Sequence, residues 1–352
     1  MRKKTVMGMK MKTGTGMKMG ILLLAAFLAM LLGVGVGSVY VPPKDILAIV
    51  AERMFARSLP DHIPPSYSVM VLDMRLPRVL LAFLTGAALA VCGGVMQSLL
   101  QNPLASPFGL GVSSGAGLGA ALVIVLGLSS AGLGIFLLPA VSLGFALGTV
   151  FFVLFLSVRL DRSMSNVTVI LVGMVLSLFC NAVMSLLATG SPAYAQRIQL
   201  WQLGSFSMRE WSAVWVLLPV TLLVCLYFWL YAGELDVMTF GEEQAQAMGV
   251  DLRRVKGRLM TAVAVLVGTA VAFVGIIGFV DLIVPHMARR LFGAAHRRMI
   301  PACALLGGTF LVLCDLAART LTPPHEIPIG SITALLGAPF FLYLFFAGRR
   351  DR

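Results

Sequence analysis

Long apolar stretches decide what this chain can fold into. A helix needs roughly 20 apolar residues to cross a hydrocarbon core about 30 Å thick. Nine such stretches occur, at about 20–41, 78–100, 108–128, 132–158, 167–189, 211–232, 258–284, 300–318 and 328–347. Because 59% of the 352 residues are hydrophobic and 12% are charged, an ordinary water-soluble domain is excluded. The sequence predicts an all-α, polytopic membrane protein.

The charges at the two ends of the chain argue for one further crossing. Short basic flanks belong on the cytoplasmic side of a membrane, and nine crossings would separate the two ends. The basic residues there are Arg2, Lys3, Lys4, Lys10, Lys12 and Lys18, and Arg349, Arg350 and Arg352. A short or broken helix near 278–293, interrupted by Pro285, gives about ten transmembrane helices with both termini cytoplasmic. The net charge of +12 then reports orientation, and nucleic acid is not an expected partner.

We expect one membrane domain with two short tails. Residues 1–19 show no apolar pattern and are expected to form a disordered, basic cytoplasmic tail. Residues 20–348 form a single transmembrane domain whose longest cytoplasmic loop is 233–257, and residues 349–352 form a second cytoplasmic tail. A cleavable signal peptide is the alternative for residues 1–41, but Val41-Pro42-Pro43 is a poor cleavage site.

Patterns typical of catalysis are absent or unfavourably placed. The G-x-S-x-G pattern at 111–115 opens a membrane span, whereas a hydrolase needs it between a strand and a helix. Gly111, Gly115 and Gly119 instead form a small-residue stripe, which lets membrane helices pack closely. No phosphate-binding loop G-x-x-x-x-G-K-[ST] is present, and the histidines and cysteines lack metal-ligand spacing. We therefore expect no catalytic residue and no metal site; a membrane enzyme is the alternative.

Polar segments bracket the second span. Arg75 and Arg78 precede it on the expected outer side, where long side chains reach water. Residues 101–107 interrupt the chain at its inner end, although a plain hairpin loop is the alternative because prolines commonly end and start helices. Near the other end of the chain, Asp315 lies four residues before Arg319, so the two can pair on one helix face.

The longest inner loop has a short helical pattern. Gly241, Ala245 and Gly249 are spaced to share one helix face, and a basic run follows at 253–258. A small-residue face without a large apolar stripe suits close docking against another protein. A solvated loop is the alternative.

The chain also contains a faint internal repeat. One set of small residues and a proline recurs at the same spacing in the second half. The first set is Gly86, Ala88, Ala90, Gly93 and Pro103, and the second is Gly268, Ala270, Ala272, Gly275 and Pro285. If one copy runs inward and the other outward, the halves are inverted repeats of the kind found in transporters.

Several ordered motifs resemble the permease family of ATP-binding-cassette (ABC) importers for iron–siderophores, haem and cobalamin, also called the FecCD family. They are Arg75-Leu-Pro-Arg78, Gly-Ala-Ala-Leu-Ala at 86–90, Met96-Gln97, Asn102-Pro103-Leu104-Ala105, 110–116, Ala247-Met-Gly-Val250, 275–278, Val284-Pro-His-Met-Ala-Arg289 and 328–339. The resemblance covers about residues 20–347.

The resemblance implies a transport subunit of a bacterial or archaeal plasma membrane that is not itself an enzyme. Its partners would be a second permease subunit, identical or different, two ATP-binding subunits and an extracytoplasmic substrate-binding protein. ATP and Mg would be bound by the ATPase, so no cofactor is expected in this chain. The expected substrate is a ferric siderophore; haem or cobalamin is the alternative. An ion-coupled secondary transporter that uses Asp281 and Asp315 is the alternative from a different class.

By similarity, the family also implies roles for particular residues. The binding protein would dock on Arg75, Arg78 and Arg319 through its acidic residues. The inner gate of the pathway would be formed by Asn102, Pro103, Leu104, Ser165 and Asn166. The ATPase would receive the loop helix that carries Gly241, Ala245 and Gly249.

Overall fold

The computed structural model describes residues 2–37, 39–55, 59–60, 62–128, 136–161, 164–207 and 210–350, with side chains from 14 to 342 within those ranges. The helices in chain order are α1 (Arg2–Gly35), α2 (Pro43–Phe55), α3 (Pro65–Val69), α4 (Leu76–Leu99), α5 (Val112–Val125), α6 (Leu137–Leu160), α7 (Asn166–Ala188), α8 (Pro192–Gln202), α9 (Trp211–Leu230), α10 (Ala232–Met238), α11 (Glu242–Ala247), α12 (Leu252–Val274), α13 (Val280–Phe292), α14 (His296–Thr320) and α15 (Ile329–Arg350). A π-helical turn, Met70–Arg75, joins α3 to α4, and a 3-10 turn, Pro107–Leu110, precedes α5.

Ten of these helices account for the expected crossings. Seven segments of the described chain are long and apolar enough to span a membrane: Gly14–Gly35, Pro65–Leu99, Leu137–Leu160, Asn166–Ala188, Trp211–Leu230, Leu252–Val274 and His296–Thr320. Val112–Val125 and Ile329–Leu342 are shorter apolar helices. The short α13 occupies the place of the broken tenth crossing. The prediction of an all-α polytopic membrane protein is confirmed.

The break before α13 does not fall at Pro285, where the sequence places it. Helix α12 ends where Gly275 takes a φ of +80°, and α13 starts after Phe279, at a φ of +70°. Pro285 lies inside α13, where it has no N–H to donate to the carbonyl four residues earlier. That carbonyl, of Asp281, accepts from Gln97 Nε2 at 3.3 Å instead. A neighbouring helix thus satisfies the freed backbone group, which is how membrane helices tolerate proline.

The beginning of α1 also differs from expectation. The helix starts at Arg2 and runs without interruption into the apolar segment, across the stretch that the sequence predicts to be a disordered tail. Met and Lys are good helix formers, so they can extend a helix that the apolar segment nucleates. At the other end α15 includes Arg349 and Arg350, and residues 351–352 of the expected tail lie outside the described residues.

Helix α4 lies at the centre of the bundle, against α9, α12, α13 and α14. Most of its side chains are buried. It approaches α14 so closely that a Cβ on Gly86 would collide with the carbonyl of Gly307, and a Cβ on Gly307 with that of Gly86. Glycine is needed at both positions because side chains would force the two backbones apart.

The packing shows the inverted repeat. The end of α4 and the start of α12 lie on the same face of the bundle, since Leu100 and Lys256 both contact Asn166. The two helices that carry the repeated residues therefore run in opposite directions. Helix α4 packs along α14, and α12 packs along α6, which is the equivalent pairing. Below, we call the face where α4 ends and α12 begins the inner face, and the face where α1 ends the outer face, in line with the orientation expected from the charges.

Candidate functional site: the gate, the loop helix and the outer arginine cluster

The two segments expected to form the inner gate lie side by side at the inner face. Asn166, the first residue of α7, donates from Nδ2 to the carbonyl of Leu100 at 3.1 Å. Two residues further on, Asn102 Oδ1 accepts from the backbone N–H of Leu104 at 2.9 Å, which closes a tight turn. Ser165 caps α7, because its Oγ accepts from the N–H of Thr168. The structure thus brings the five expected gate residues into one region.

The side chains at the tip of this turn face outward from the chain. Pro103 is exposed, and Leu104 is 48% exposed. Asn102 and Asn166 are half-buried and hold the two backbones.

The loop helix is shorter than the sequence suggests and presents a different face. Gly241 precedes α11 with a φ of +122°, and Gly249 follows it with a φ of +86°, so both are terminators that need glycine's freedom. Ala245 is 0% exposed and packs against the chain's own bundle. Within this chain Ala245 therefore faces the bundle, and its contact with the ATPase stays a prediction. The exposed apolar side chains here are Phe240, at 69%, and Met248, at 56%.

A buried lysine joins this loop helix to the gate. Lys256, in the second turn of α12, is 0% exposed. Its Nζ donates to Asn166 Oδ1 at 2.9 Å, to the carbonyl of Met164 at 3.0 Å and to Glu242 Oε1 at 2.8 Å. Lys256 therefore contacts both the turn before α7 and the first residue of α11.

Two further contacts hold the same loop against the bundle. Gln101 Nε2 donates to the carbonyl of Met238, the last residue of α10, at 3.1 Å. The buried ring of His296 lies between Asp236 Oδ1, 2.6 Å from Nδ1, and Ser98 Oγ, 2.7 Å from Nε2. Although this order resembles a hydrolytic triad, Ser98 is only 4% exposed. The three side chains join α10, α14 and α4.

At the outer face, Arg78 is the centre of an ion-pair cluster. Its Nη2 lies 2.8 Å from Asp315 Oδ1, and its Nη1 lies 2.7 Å from Glu326 Oε1. Arg319 Nε approaches the other oxygen of Asp315 at 3.6 Å, as the spacing of four residues predicts. A cavity of about 260 Å³ lies beside Arg78, Asp315 and Glu326. The guanidinium of Arg78 is thus already paired within the chain.

The side chain of Arg75 is hydrogen-bonded to backbone carbonyl groups. It is 7% exposed, and its guanidinium donates to the carbonyls of Val34, Gly35 and Val39 at 3.0, 3.2 and 2.7 Å. The last carbonyls of a helix have no partner within it, so Arg75 completes the end of α1. Arg319 also donates to a carbonyl there, that of Gly33. None of the three arginines expected to receive an acidic partner has a free guanidinium group in this structure.

The two acidic residues within spans also have partners. Asp315 is held by Arg78 and Arg319. Asp281, at the start of α13, accepts a short hydrogen bond from the hydroxyl of Ser106 in the gate loop. Asp315 therefore connects α14 to α4, and Asp281 connects α13 to the loop that follows α4.

The sequence analysis does not single out Lys256, because it lies in a basic run whose arginines are exposed. The sequence nevertheless contains a pattern that indicates the burial of Lys256. Leu252, Lys256, Leu259 and Val263 recur at helical spacing, and the three apolar members are buried. A lysine on the apolar face of an amphipathic helix is expected to be buried and paired.

The described chain is an all-helical, polytopic bundle with a short loop helix at one face, which is the architecture of a multi-pass membrane protein. The FecCD transport family model matches residues 22–347. The chain belongs to this family, and it is a permease of the ABC importer type.

Relatives within the family have different substrates in their names. The chain is 36% identical over 328 residues to the Fe(3+)-citrate import system permease protein YfmE of Bacillus subtilis (strain 168), which covers 93% of this chain and 94% of that protein. It is 38% identical to the hemin transport system permease protein HmuU of Yersinia pestis, over 80% and 84% of the two chains. The vitamin B12 import system permease protein BtuC of Yersinia enterocolitica is 38% identical, over 78% and 81%.

A solved structure shares the whole fold. It is described as a metal-chelate type ABC transporter in an inward-facing conformation. It superposes with a TM-score of 0.82 at 31% identity, over 94% of this chain and 99% of that chain.

Proposed function

We propose that this chain is the membrane-spanning subunit through which a bacterial or archaeal ABC importer moves a ferric siderophore into the cytoplasm. The observation that carries the proposal is the full-length family match, together with the fold shared with a transporter of the metal-chelate type. Haem and cobalamin are the alternatives, since relatives named for both are as similar as the iron-citrate permease. Hydrolysis of ATP, with its Mg, belongs to a separate subunit.

The transport step needs two conformations of the permease and a ligand that favours one of them over the other. Two permease subunits, identical or different, would enclose the pathway along their interface, with two ATP-binding subunits at the inner face. Nucleotide binding would favour one arrangement and hydrolysis the other, because a ligand shifts a conformational equilibrium by its differential affinity for the two states. The gate turns at Asn102–Leu104 and Ser165–Asn166 would open and close the inner end.

The substrate-binding protein would dock at the outer face, beside the arginine cluster. Because Arg75 is committed to the end of α1, the pairing we infer centres on Arg78 and Arg319. Glu326 is 39% exposed and holds the outer side of the Arg78 guanidinium. An acidic residue of the binding protein could replace Glu326 there without uncovering the buried Arg78–Asp315 pair.

An uptake experiment tests the proposed function. The permease is reconstituted with its ATPase and binding protein, and the entry of radiolabelled ferric siderophore, ferric citrate, haem and cobalamin is compared. We expect ATP-dependent uptake of a ferric siderophore. The matched control contains an ATPase inactivated at its phosphate-binding lysine. Uptake that persists in this control would indicate an ion-coupled secondary transporter instead.

A further inference from the structure

A fully buried ammonium group stands between the loop helix and the gate. Burying a charge is costly unless it is paired and hydrogen-bonded. A lysine ammonium has three donors, and Lys256 has one acceptor for each: Met164 O, Asn166 Oδ1 and Glu242 Oε1, all at 3.0 Å or less. None of the three acceptors lies on its own helix. The charge is therefore stable only while α11 and the turn before α7 both stay in place.

The amide of Asn166 extends this contact to the second gate segment. Its Oδ1 accepts from Lys256 while its Nδ2 donates to the carbonyl of Leu100, two residues before Asn102. A continuous hydrogen-bonded path thus runs from Glu242 through Lys256 and Asn166 to Leu100. Glu242 and Asn166 are partly exposed, so water can reach their polar groups when a link is broken, whereas the Lys256 ammonium is fully buried.

We propose that Lys256 is the positioning residue through which a movement of α11 reaches the gate. When α11 shifts, Glu242 shifts with it, and the buried ammonium either follows or loses a charged partner. If it follows, it moves the Met164 carbonyl and the Asn166 amide, and with them the Leu100 loop. This inference rests on the proposed function, because it takes α11 as an element that the ATPase moves. The physical requirement is an element with two arrangements that both sites bias.

The test uses the complete complex in proteoliposomes, with a fluorophore on a Leu104→Cys variant. ATP-Mg is the probe, so no transported ligand is needed. In the test variant Glu242→Leu and Lys256→Met replace the ion pair by apolar side chains, an exchange that is often neutral for stability. We expect this variant to assemble and to hydrolyse ATP while it loses most of the ATP-dependent fluorescence change. Arg254→Met is the matched control, because Arg254 is exposed and pairs with Asp251, outside the hydrogen-bonded path.

A second variant keeps the ion pair between Lys256 and Glu242 and breaks the hydrogen-bonded path at Asn166. Asn166→Asp retains an acceptor for Lys256 but removes the donor to Leu100. We expect a normal melting temperature, normal hydrolysis and a diminished fluorescence change. If either variant gives a wild-type change, Lys256 does not transmit movement. If the change and the melting temperature fall together in both, the role is structural and the proposal is wrong. No ATP-dependent change in the wild-type complex would instead contradict the proposed function.

Discussion

Three arginines of the outer face look alike in the sequence but have different roles. Arg75 donates to the last two carbonyls of α1 and to that of Val39 beyond it, whereas Arg78 is held between two carboxylates. Arg319 donates to the carbonyl of Gly33 and also pairs with Asp315. The planar guanidinium, with five donors in a fixed fork, suits each arrangement. A substitution that keeps the positive charge but removes the guanidinium geometry therefore distinguishes a role in capping the backbone from a role in charge-based docking.

Arg75→Lys makes this separation. An ammonium cannot reach three carbonyls in the geometry of the guanidinium, so we expect a loss of about 2 kcal/mol of stability. Docking of the binding protein should be unchanged, since the net charge of the outer face is kept. Thermal unfolding in detergent and a pull-down with the binding protein measure the two effects. Arg197→Lys, at an exposed position of α8, is the control; equal melting temperatures for both variants would contradict the capping role.

The carboxyl group of Glu326 gives the outer cluster a dependence on pH. Its partial burial would raise its pKa, but the hydrogen bond and charge of Arg78, with the charge of Arg319, outweigh this and hold the pKa below its usual range. A lowered pKa in the folded state means that the pairing stabilises the fold above the ordinary carboxyl pKa. That stability is lost as the pH falls through the lowered value.

Glu326→Gln should therefore lower the melting temperature at pH 7 and have less effect below about pH 4. Because the carboxylate is more than one third exposed, the difference at pH 7 should be at most about 1 kcal/mol. Melting curves from pH 7 to pH 3.5 measure it. Glu210→Gln, an exposed position before α9 without a side-chain capping bond, should show no such trend. A constant difference across the range would exclude Glu326 as the titrating group.

At the scale of helices, the contact between α4 and α14 depends on the absence of side chains. Gly86→Ala should push the two backbones apart, and overpacking of this kind typically costs about 1–3 kcal/mol. The control is Gly148→Ala in α6, where a Cβ meets no atom within 4 Å. There alanine should be neutral or stabilising by up to about 1 kcal/mol, since glycine is the poorer helix former. Similar melting temperatures for the two variants would argue against a close α4–α14 contact.

The loop helix gives a second comparison at this scale. Under the proposed function the exposed Phe240 and Met248 contact the ATPase, while the buried Ala245 supports α11 from behind. Phe240→Ser with Met248→Ser should reduce co-purification of the ATPase and leave the melting temperature unchanged. Ala245→Leu should instead lower the melting temperature, because its position has no room. A loss of ATPase binding in the Leu variant without a change in stability would restore Ala245 as the contact residue.

For the whole molecule, the features that are local in sequence could be predicted and the contacts between distant residues could not. The apolar runs located nine helices because each run is decided by its own hydropathy, although α1 begins well before its run and α12 ends about ten residues before the end of its run. The tenth followed from the charges at the two ends. By contrast, Arg78 meets Asp315 across 237 positions of chain. No pattern along the sequence pairs them, whereas the pairing of Asp315 with Arg319 follows from their spacing of four residues. The burial of Ala245 is hidden for a related reason: helical spacing gives a face but not what covers it.

Whether the chain crosses the membrane an even or an odd number of times is a property of the whole molecule. If α13 completes a tenth crossing, both termini and the loop at 233–257 lie in the cytoplasm, with the connection between α14 and α15 outside. Phe240→Cys and Leu321→Cys place reporters on the two faces at side chains that are 69% and 63% exposed. In intact cells an impermeant maleimide should label Leu321→Cys, and it should label Phe240→Cys only after the membrane is opened. Labelling of Phe240→Cys but not of Leu321→Cys in intact cells would reverse the orientation. Labelling of both would mean that an even number of crossings separates the two positions, so that α13 does not complete a crossing.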